Sequence, residues 1–127
     1  MESARAPILI VNDDEPVNDA LSRVLEKEGF TVEVATDGSA ALARLHAGLR
    51  PGLILLDLMM PVMDGYDFRE RQLKIAAFAE VPVVVMSAMF GVRLDAVKSL
   101  QVNGYVDVPV EVPNLLRVVR RHYREPT

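Results

Sequence analysis

The chain has 127 residues, half of them hydrophobic, which fits one domain with a substantial core. Its formal net charge of −4 argues against the domain as a whole binding nucleic acid. There are no cysteines, which excludes disulfides, thiol chemistry and thiolate metal sites. The segment MESARAP has no apolar run of signal-peptide length, and no later segment approaches the roughly 20 apolar residues that a membrane span needs. We therefore expect one cytoplasmic domain over residues 1–127, with its core at about 7–124, that binds neither nucleic acid nor a membrane.

Strands and helices alternate in the first part of the chain. Ile8 to Val11 is a short aliphatic run, and we interpret it as a buried strand. A helix of about three turns follows, with Pro16 in its first turn and Gly29 at its end. Phe30 to Ala35 alternates apolar and polar residues, which predicts a half-covered strand at a sheet edge. A second helix begins after Asp37.

The central stretch, LILLDLMMPVMDG, begins with four consecutive aliphatic residues, which suits a strand covered on both faces. Asp57 follows directly, and Asp64 and Gly65 turn the chain into a third helix, predicted from Tyr66 to about Ala79. Its predicted core contacts are Phe68, Leu73 and Ala76.

Two more strands and two more helices complete the predicted pattern. The fourth strand is Val83 to Met86, and the fifth is Tyr105 to Val108. The last helix begins at Pro113. Between these strands, one face of a fourth helix is formed by Leu94, Val97 and Gln101. The buried side of the last helix is formed by Leu115, Val118, Val119 and His122. Five alternations of strand and helix predict a doubly wound α/β fold with a five-stranded parallel sheet.

Polar residues follow three of the strands: Asn12, Asp13 and Asp14 the first, Asp57 the third and Ser87 the fourth. The carboxyl ends of parallel strands meet at one edge of the sheet, so these side chains can converge there. Closely spaced carboxylates favour a cation, and oxygen ligands favour Mg²⁺. A carboxylate held beside a cation and a hydroxyl suits phosphoryl transfer, with Asp57 as the nucleophile.

At these positions the chain resembles the receiver domain of bacterial two-component response regulators. The resemblance extends from Ile8 to about Tyr123 and rests on four segments: ILIVNDDEP, LLDLMMPVMDG, VVVMSA and GYVDVPV. It implies a flavodoxin-like (βα)₅ fold with the strand order 2-1-3-4-5. It also implies a signalling domain rather than an enzyme.

The resemblance also implies a role for each site residue. Asp57 is the implied phospho-acceptor, Asp13 a direct Mg²⁺ ligand and the backbone carbonyl of Met59 another ligand. Ser87 is the implied switch hydroxyl, and Tyr105 occupies the switch aromatic position. The bond before Pro109 is implied to be cis.

Two departures from the family pattern matter. In the unslipped register, the family's acidic pair falls on Asn12 and Asp13, so an amide replaces the first acid. The other register pairs Asp13 with Asp14 and requires a slip of one residue. The family's lysine before the fifth-strand proline is Val108, which offers no charge to a phosphoryl oxygen. We therefore expect phosphorylation to survive but its coupling to the fifth strand to be weakened or rerouted.

The implied partners are a sensor histidine kinase or phosphotransfer protein, and a downstream protein or second copy that binds through the fourth helix, fifth strand and fifth helix. The alternative is a pseudo-receiver that binds proteins without being phosphorylated. A hydrolase of the aspartyl-phosphate type is disfavoured, because Met59 stands where such enzymes carry a second acid. A dinucleotide enzyme is disfavoured because no G-x-G-x-x-G follows the first strand.

Overall fold

The computed structural model describes residues 5–87 and 98–125. The strands are β1 (Ile8–Val11), β2 (Val32–Ala35), β3 (Leu53–Asp57), β4 (Val83–Ser87) and β5 (Gly104–Asp107). The helices are α1 (Glu15–Lys27), α2 (Gly38–His46), α3 (Gly65–Leu73) and α4 (Val112–His122), the last being the helix predicted as the fifth. Within the described ranges, none of the helices is both long and apolar enough to span a membrane.

All five strands are parallel, and their order is β2-β1-β3-β4-β5. This order confirms the predicted flavodoxin-like fold, with β2 at one edge of the sheet. Val11 pairs with Leu56, and Asp57 pairs with Met86. The register therefore brings the ends of the three central strands to the same height at one edge of the sheet.

Alternating residues of the central strands divide the core between the two faces of the sheet. On one face, which we call the α1/α4 face, strand residues such as Ile10, Leu55 and Met86 pack with buried residues of α1 and α4. On the other, the α2/α3 face, strand residues such as Leu56 and Val83 pack with buried residues of α2 and α3. Because the central strands are buried on both faces of the sheet, their sequences are continuous aliphatic runs.

The third helix is shorter than predicted and buries different residues. It ends at Leu73, whose side chain is 37% exposed, and Ala76 is exposed beyond it, so both predicted core contacts are wrong. Phe68 is fully buried as predicted. The chain after the helix forms short turns, and the Gln72 side-chain amide donates to the carbonyls of residues 78 and 81 at 3.0 and 3.1 Å. These bonds stabilise the turns in place of a longer helix.

Part of the predicted fourth helix, including Leu94 and Val97, lies outside the described residues. Gln101, predicted to lie on one face of this helix, is exposed and has a φ of 55°, so it is a turn residue and its assignment to the helix is wrong. The Arg69 guanidinium of α3 fixes this turn by donating to the carbonyls of Leu100 and Gln101 at 3.0 and 2.7 Å. A buried arginine thus joins α3 to the segment that leads into β5.

The last helix matches its prediction closely. Leu115, Val118 and Val119 are buried, and His122 is partly buried. Arg120 of this helix forms an ion pair with Glu28 at the end of α1.

Candidate functional site

Asp57 is the last residue of β3 and the first that is not fully buried after four aliphatic residues. The backbone N–H of Met59 donates to Asp57 Oδ1 at 3.4 Å, so the turn after the strand holds the carboxylate. Gly65 begins α3 directly against this strand end, because a Cβ there would lie 2.3 Å from the Asp57 backbone oxygen. The start of α3 is therefore built on the backbone of Asp57.

The loop after β1 is held by two contacts of α1. The Asn18 side-chain amide donates to the backbone carbonyl of Asn12 at 2.8 Å, and the Asp14 carboxylate accepts from the Val17 N–H at 3.2 Å. Asp14 therefore caps the first turn of α1. Which two of Asn12, Asp13 and Asp14 form the pair at the site stays a prediction.

The surroundings of the Asp57 carboxylate disfavour its charged form. Burial is the main cause that raises the pKa of Asp57 above its ordinary value, and the neighbouring charges of Asp13 and Asp14 raise it further. The backbone amides of Met59 and Leu58 act in the opposite direction.

A cavity of about 470 Å³ opens beside these residues, between α1 and α4. Its polar end is formed by Asn12, Asp13, Asp14 and Asp57, which the sequence predicted to converge. Val108 also lines it, immediately before the cis bond to Pro109 that the resemblance implied. One cavity is therefore lined by the polar residues that follow β1 and β3 and by Val108, the residue in the lysine position.

Ser87 and Tyr105 are placed differently. Ser87 is the buried last residue of β4, one position beyond the partner of Asp57, and it pairs with Asp107. Tyr105 lies within β5 and is partly exposed. Neither is among the described residues that line the cavity, and their switch roles stay predictions.

The donor groups at the polar end suit Mg²⁺. Asp13 and Asp57 supply carboxylate oxygens, and Asn12 and the backbone supply neutral oxygens. Mg²⁺ usually takes one or two carboxylates and keeps several waters. In the described parts of the chain, residues 5–87 and 98–125, no cluster of three or more His, Cys, Asp or Glu suits a metal. The oxygen donors at the polar end therefore fit a hard cation held by few protein ligands.

Sequence reasoning missed the apolar part of the cavity. Its walls include Val17, Ala20 and Val24 on α1, and Val110 and Val112 before and in α4. The spacing of the α1 residues was a signal for a helix face, but it cannot distinguish a face that meets another helix from one that borders a cavity. The role of Asn18 was also missed, because an asparagine within a helix carries no pattern of its own.

Residues 8–120 match the response regulator receiver domain family. The chain therefore belongs to this family and is a receiver domain of bacterial two-component signalling. Such a domain is a signalling module rather than an enzyme in the usual sense.

Individual relatives agree with this assignment. The chain is 37% identical over 126 residues to the DNA-binding response regulator MtrA of Mycolicibacterium smegmatis, covering 98% of this chain and 53% of that protein. It thus spans about half the length of that curated relative. The solved structure of the chemotaxis protein CheY4 of Vibrio cholerae is similar, with a TM-score of 0.84, 26% identity and coverage of 94% of this chain and 99% of that one. The same four values describe the match to a response regulator receiver protein from Pseudomonas putida.

Proposed function

We propose that Asp57 accepts a phosphoryl group from the phosphohistidine of a sensor kinase or phosphotransfer protein, and that this modification changes how the domain binds a partner. The observation that carries the proposal is the position of Asp57 beside Asp13 in one cavity at the strand ends. The family assignment supports the same chemistry.

In this reaction, a carboxylate oxygen of Asp57 attacks the phosphorus of the donor. An oxygen–phosphorus bond forms as the nitrogen–phosphorus bond breaks, and the electron pair of the broken bond returns to the imidazole, which then takes up a proton. The Met59 N–H orients the attacking carboxylate. A bound Mg²⁺ would be held by Asp13, Asp57 and the carbonyl of Met59, and it would supply positive charge for the phosphoryl oxygens.

Val108 limits how the modified state can be transmitted. Its side chain is apolar and 46% exposed, so the loop after β5 offers a phosphoryl oxygen no side-chain cation from this position. Tyr105 and Val108 both lie exposed on and after β5, on the surface through which a partner or a second copy would bind. We infer that contacts of this surface, rather than a direct bond from Val108, report the state of Asp57.

Incubation with acetyl phosphate and Mg²⁺ tests the proposal. We expect a base-labile gain in mass equal to one phosphoryl group on the wild-type protein and none on Asp57→Asn. The matched control is Asp107→Asn, which removes an exposed carboxylate at the end of β5 and should leave the labelling intact.

Beryllofluoride with Mg²⁺ gives an independent measurement, in which we expect amide shifts at Asp57 and its neighbours. A wild-type protein that takes no label and shows no such shifts would instead be a pseudo-receiver, acting through protein contacts alone.

A further inference from the structure

Asn18 is a polar residue at a position of α1 that suits an apolar one. Its side chain is 3% exposed, and the other buried residues of this helix are Leu21 and Leu25. Asparagine also favours a helix interior less than leucine does. Helix formation and apolar packing therefore do not account for an asparagine at this position.

The side-chain amide of Asn18 is only half paired. Its Nδ2 donates to the backbone carbonyl of Asn12 at 2.8 Å, whereas its Oδ1 is buried and accepts no hydrogen bond from the described residues. The side chain thus satisfies one buried acceptor and introduces another, and a buried acceptor without a partner costs free energy. A gain in stability from hydrogen bonding therefore does not account for Asn18 either.

The hydrogen bond from Asn18 acts on the peptide group that joins Asn12 to Asp13. This group is planar, so an amide that holds the Asn12 carbonyl also orients the N–H and the Cα of Asp13. The Asn12 N–H in turn donates to the Ala35 carbonyl of β2 at 3.0 Å. Asn12 is therefore fixed through both of its backbone polar groups, and the chain enters Asp13 in a defined direction.

Asn18 contacts the chain on both sides of Asp13. Its side chain holds the carbonyl of Asn12, and its backbone N–H donates to the carbonyl of Asp14 at 3.0 Å. Asp13 itself is exposed and lines the cavity together with Asp57. One residue of α1 therefore fixes the backbone before and after the carboxylate that lies beside Asp57 in this cavity.

We propose that Asn18 is a positioning residue for the cation site, and that it sets the direction in which Asp13 presents its carboxylate toward Asp57. The inference deepens the proposed function and rests on it, because both assign a cation to these two carboxylates. A cation with few protein ligands depends on how those ligands are arranged before it binds, and loss of a residue behind a ligand typically weakens metal affinity by about 10–100-fold. The half-paired amide is then accounted for, because its hydrogen bond fixes the geometry of the site.

Asn18→Leu tests this role, because leucine has a similar branched shape but donates no hydrogen bond. Wild-type and variant proteins, ¹⁵N-labelled and freed of divalent ions, are titrated with MgCl₂, and the amide shifts of Asp57 and Met59 report binding. We expect the dissociation constant for Mg²⁺ to rise about tenfold in the variant. In the metal-free variant we expect the Asp13 amide to shift. The urea midpoint should be no lower than that of the wild type, because leucine favours the helix and merely exchanges one unpaired acceptor for another.

Two further variants separate positioning from side-chain bulk and from stability. Asn18→Ala removes the same donor without adding apolar atoms, and we expect it to weaken Mg²⁺ binding as Asn18→Leu does. Leu25→Ala removes a fully buried side chain from the same helix, so we expect a lower urea midpoint but an unchanged affinity for Mg²⁺. Affinity and stability should therefore change independently of each other at these two positions.

Several results would overturn the proposal: equal Mg²⁺ affinity in the wild type and Asn18→Leu, full affinity in Asn18→Ala, a loss of affinity in Leu25→Ala as large as in Asn18→Leu, or no Mg²⁺ binding by the wild type at millimolar concentration. These measurements use unphosphorylated protein. If Asn18→Leu weakens Mg²⁺ binding but the wild type takes no label on Asp57, only the proposed phosphorylation is contradicted. If Asp57 is labelled but Asn18→Leu binds Mg²⁺ as the wild type does, only the role of Asn18 is contradicted.

Discussion

The two faces of the sheet are equally apolar at the strands but differ in how their helices close over them. On the α2/α3 face the helices contact each other closely, and a Cβ added at Gly38 would lie 2.9 Å from the Met63 carbonyl oxygen and 3.0 Å from the Cβ of Phe68. On the α1/α4 face, the cavity separates the helices near the site. The apolar composition of the strands therefore does not decide how closely the helices over them approach each other.

The largest expected effect is on the α2/α3 face. Phe68→Ala removes a fully buried ring where α3 packs on the sheet, and we expect the free energy of unfolding to fall by about 3–5 kcal/mol. Urea unfolding measures this loss. Leu73→Ala on the same helix is the control, and because its side chain is 37% exposed, we expect a loss of less than about 1 kcal/mol. Equal losses in the two variants would show that α3 is packed differently from this description.

A smaller effect is expected where α3 holds the turn before β5. Arg69 is only 4% exposed, and its replacement by leucine leaves the carbonyls of Leu100 and Gln101 without this donor. We expect a loss of about 2–3 kcal/mol in the free energy of unfolding. The control is Arg71→Leu, since Arg71 is exposed on the same helix and should change stability little. A neutral result for Arg69→Leu would mean that the turn does not depend on these hydrogen bonds.

The smallest expected effect concerns the charge of Asp57, which lines the cavity. The pKa of Asp57 in the folded protein is raised above its ordinary value of 3.8. At pH values between 3.8 and this raised pKa, the folded protein therefore binds more protons than the unfolded chain. Stability therefore falls as pH rises through that window, and the penalty is fully present above it. We expect Asp57→Asn to be more stable than wild type at pH 7, by less than about 1 kcal/mol after solvent screening, and to lose this advantage below about pH 3.8.

Urea unfolding at several pH values measures the effect of Asp57→Asn. Asp19→Asn, which removes an exposed carboxylate from α1, controls for the loss of one negative charge. A gain that is the same at low and neutral pH, or that also occurs in Asp19→Asn, would contradict the account given for Asp57.

The sheet could be predicted from sequence because its physical signals are local. Strands β1, β3 and β4 are continuous aliphatic runs, and each begins and ends within one residue of its predicted bounds. The end of α3 could not be predicted, because the residues after Leu73 favour a helix and are held in turns by the side chain of Gln72. Such long-range hydrogen bonds override local propensity and leave no periodic pattern.

The candidate site was predictable in part for a related reason. Asp13 and Asp57 each follow an aliphatic run, so the topology alone places them at one edge of the sheet. The cavity beside them depends on the distance between α1 and α4, which no residue pattern encodes. The cavity therefore depends on how both helices pack on the sheet.

The glycine at the start of α3 has a consequence for mutational tolerance. At Gly65 any side chain would collide with the backbone of Asp57, so a saturation library should recover glycine alone at this position. Gly48 has open space around its Cα but a φ of +112°, so its constraint is conformational, and asparagine is the replacement most readily accepted there. One glycine is thus required by space and the other by backbone geometry, and only the first ties a helix to the backbone of Asp57.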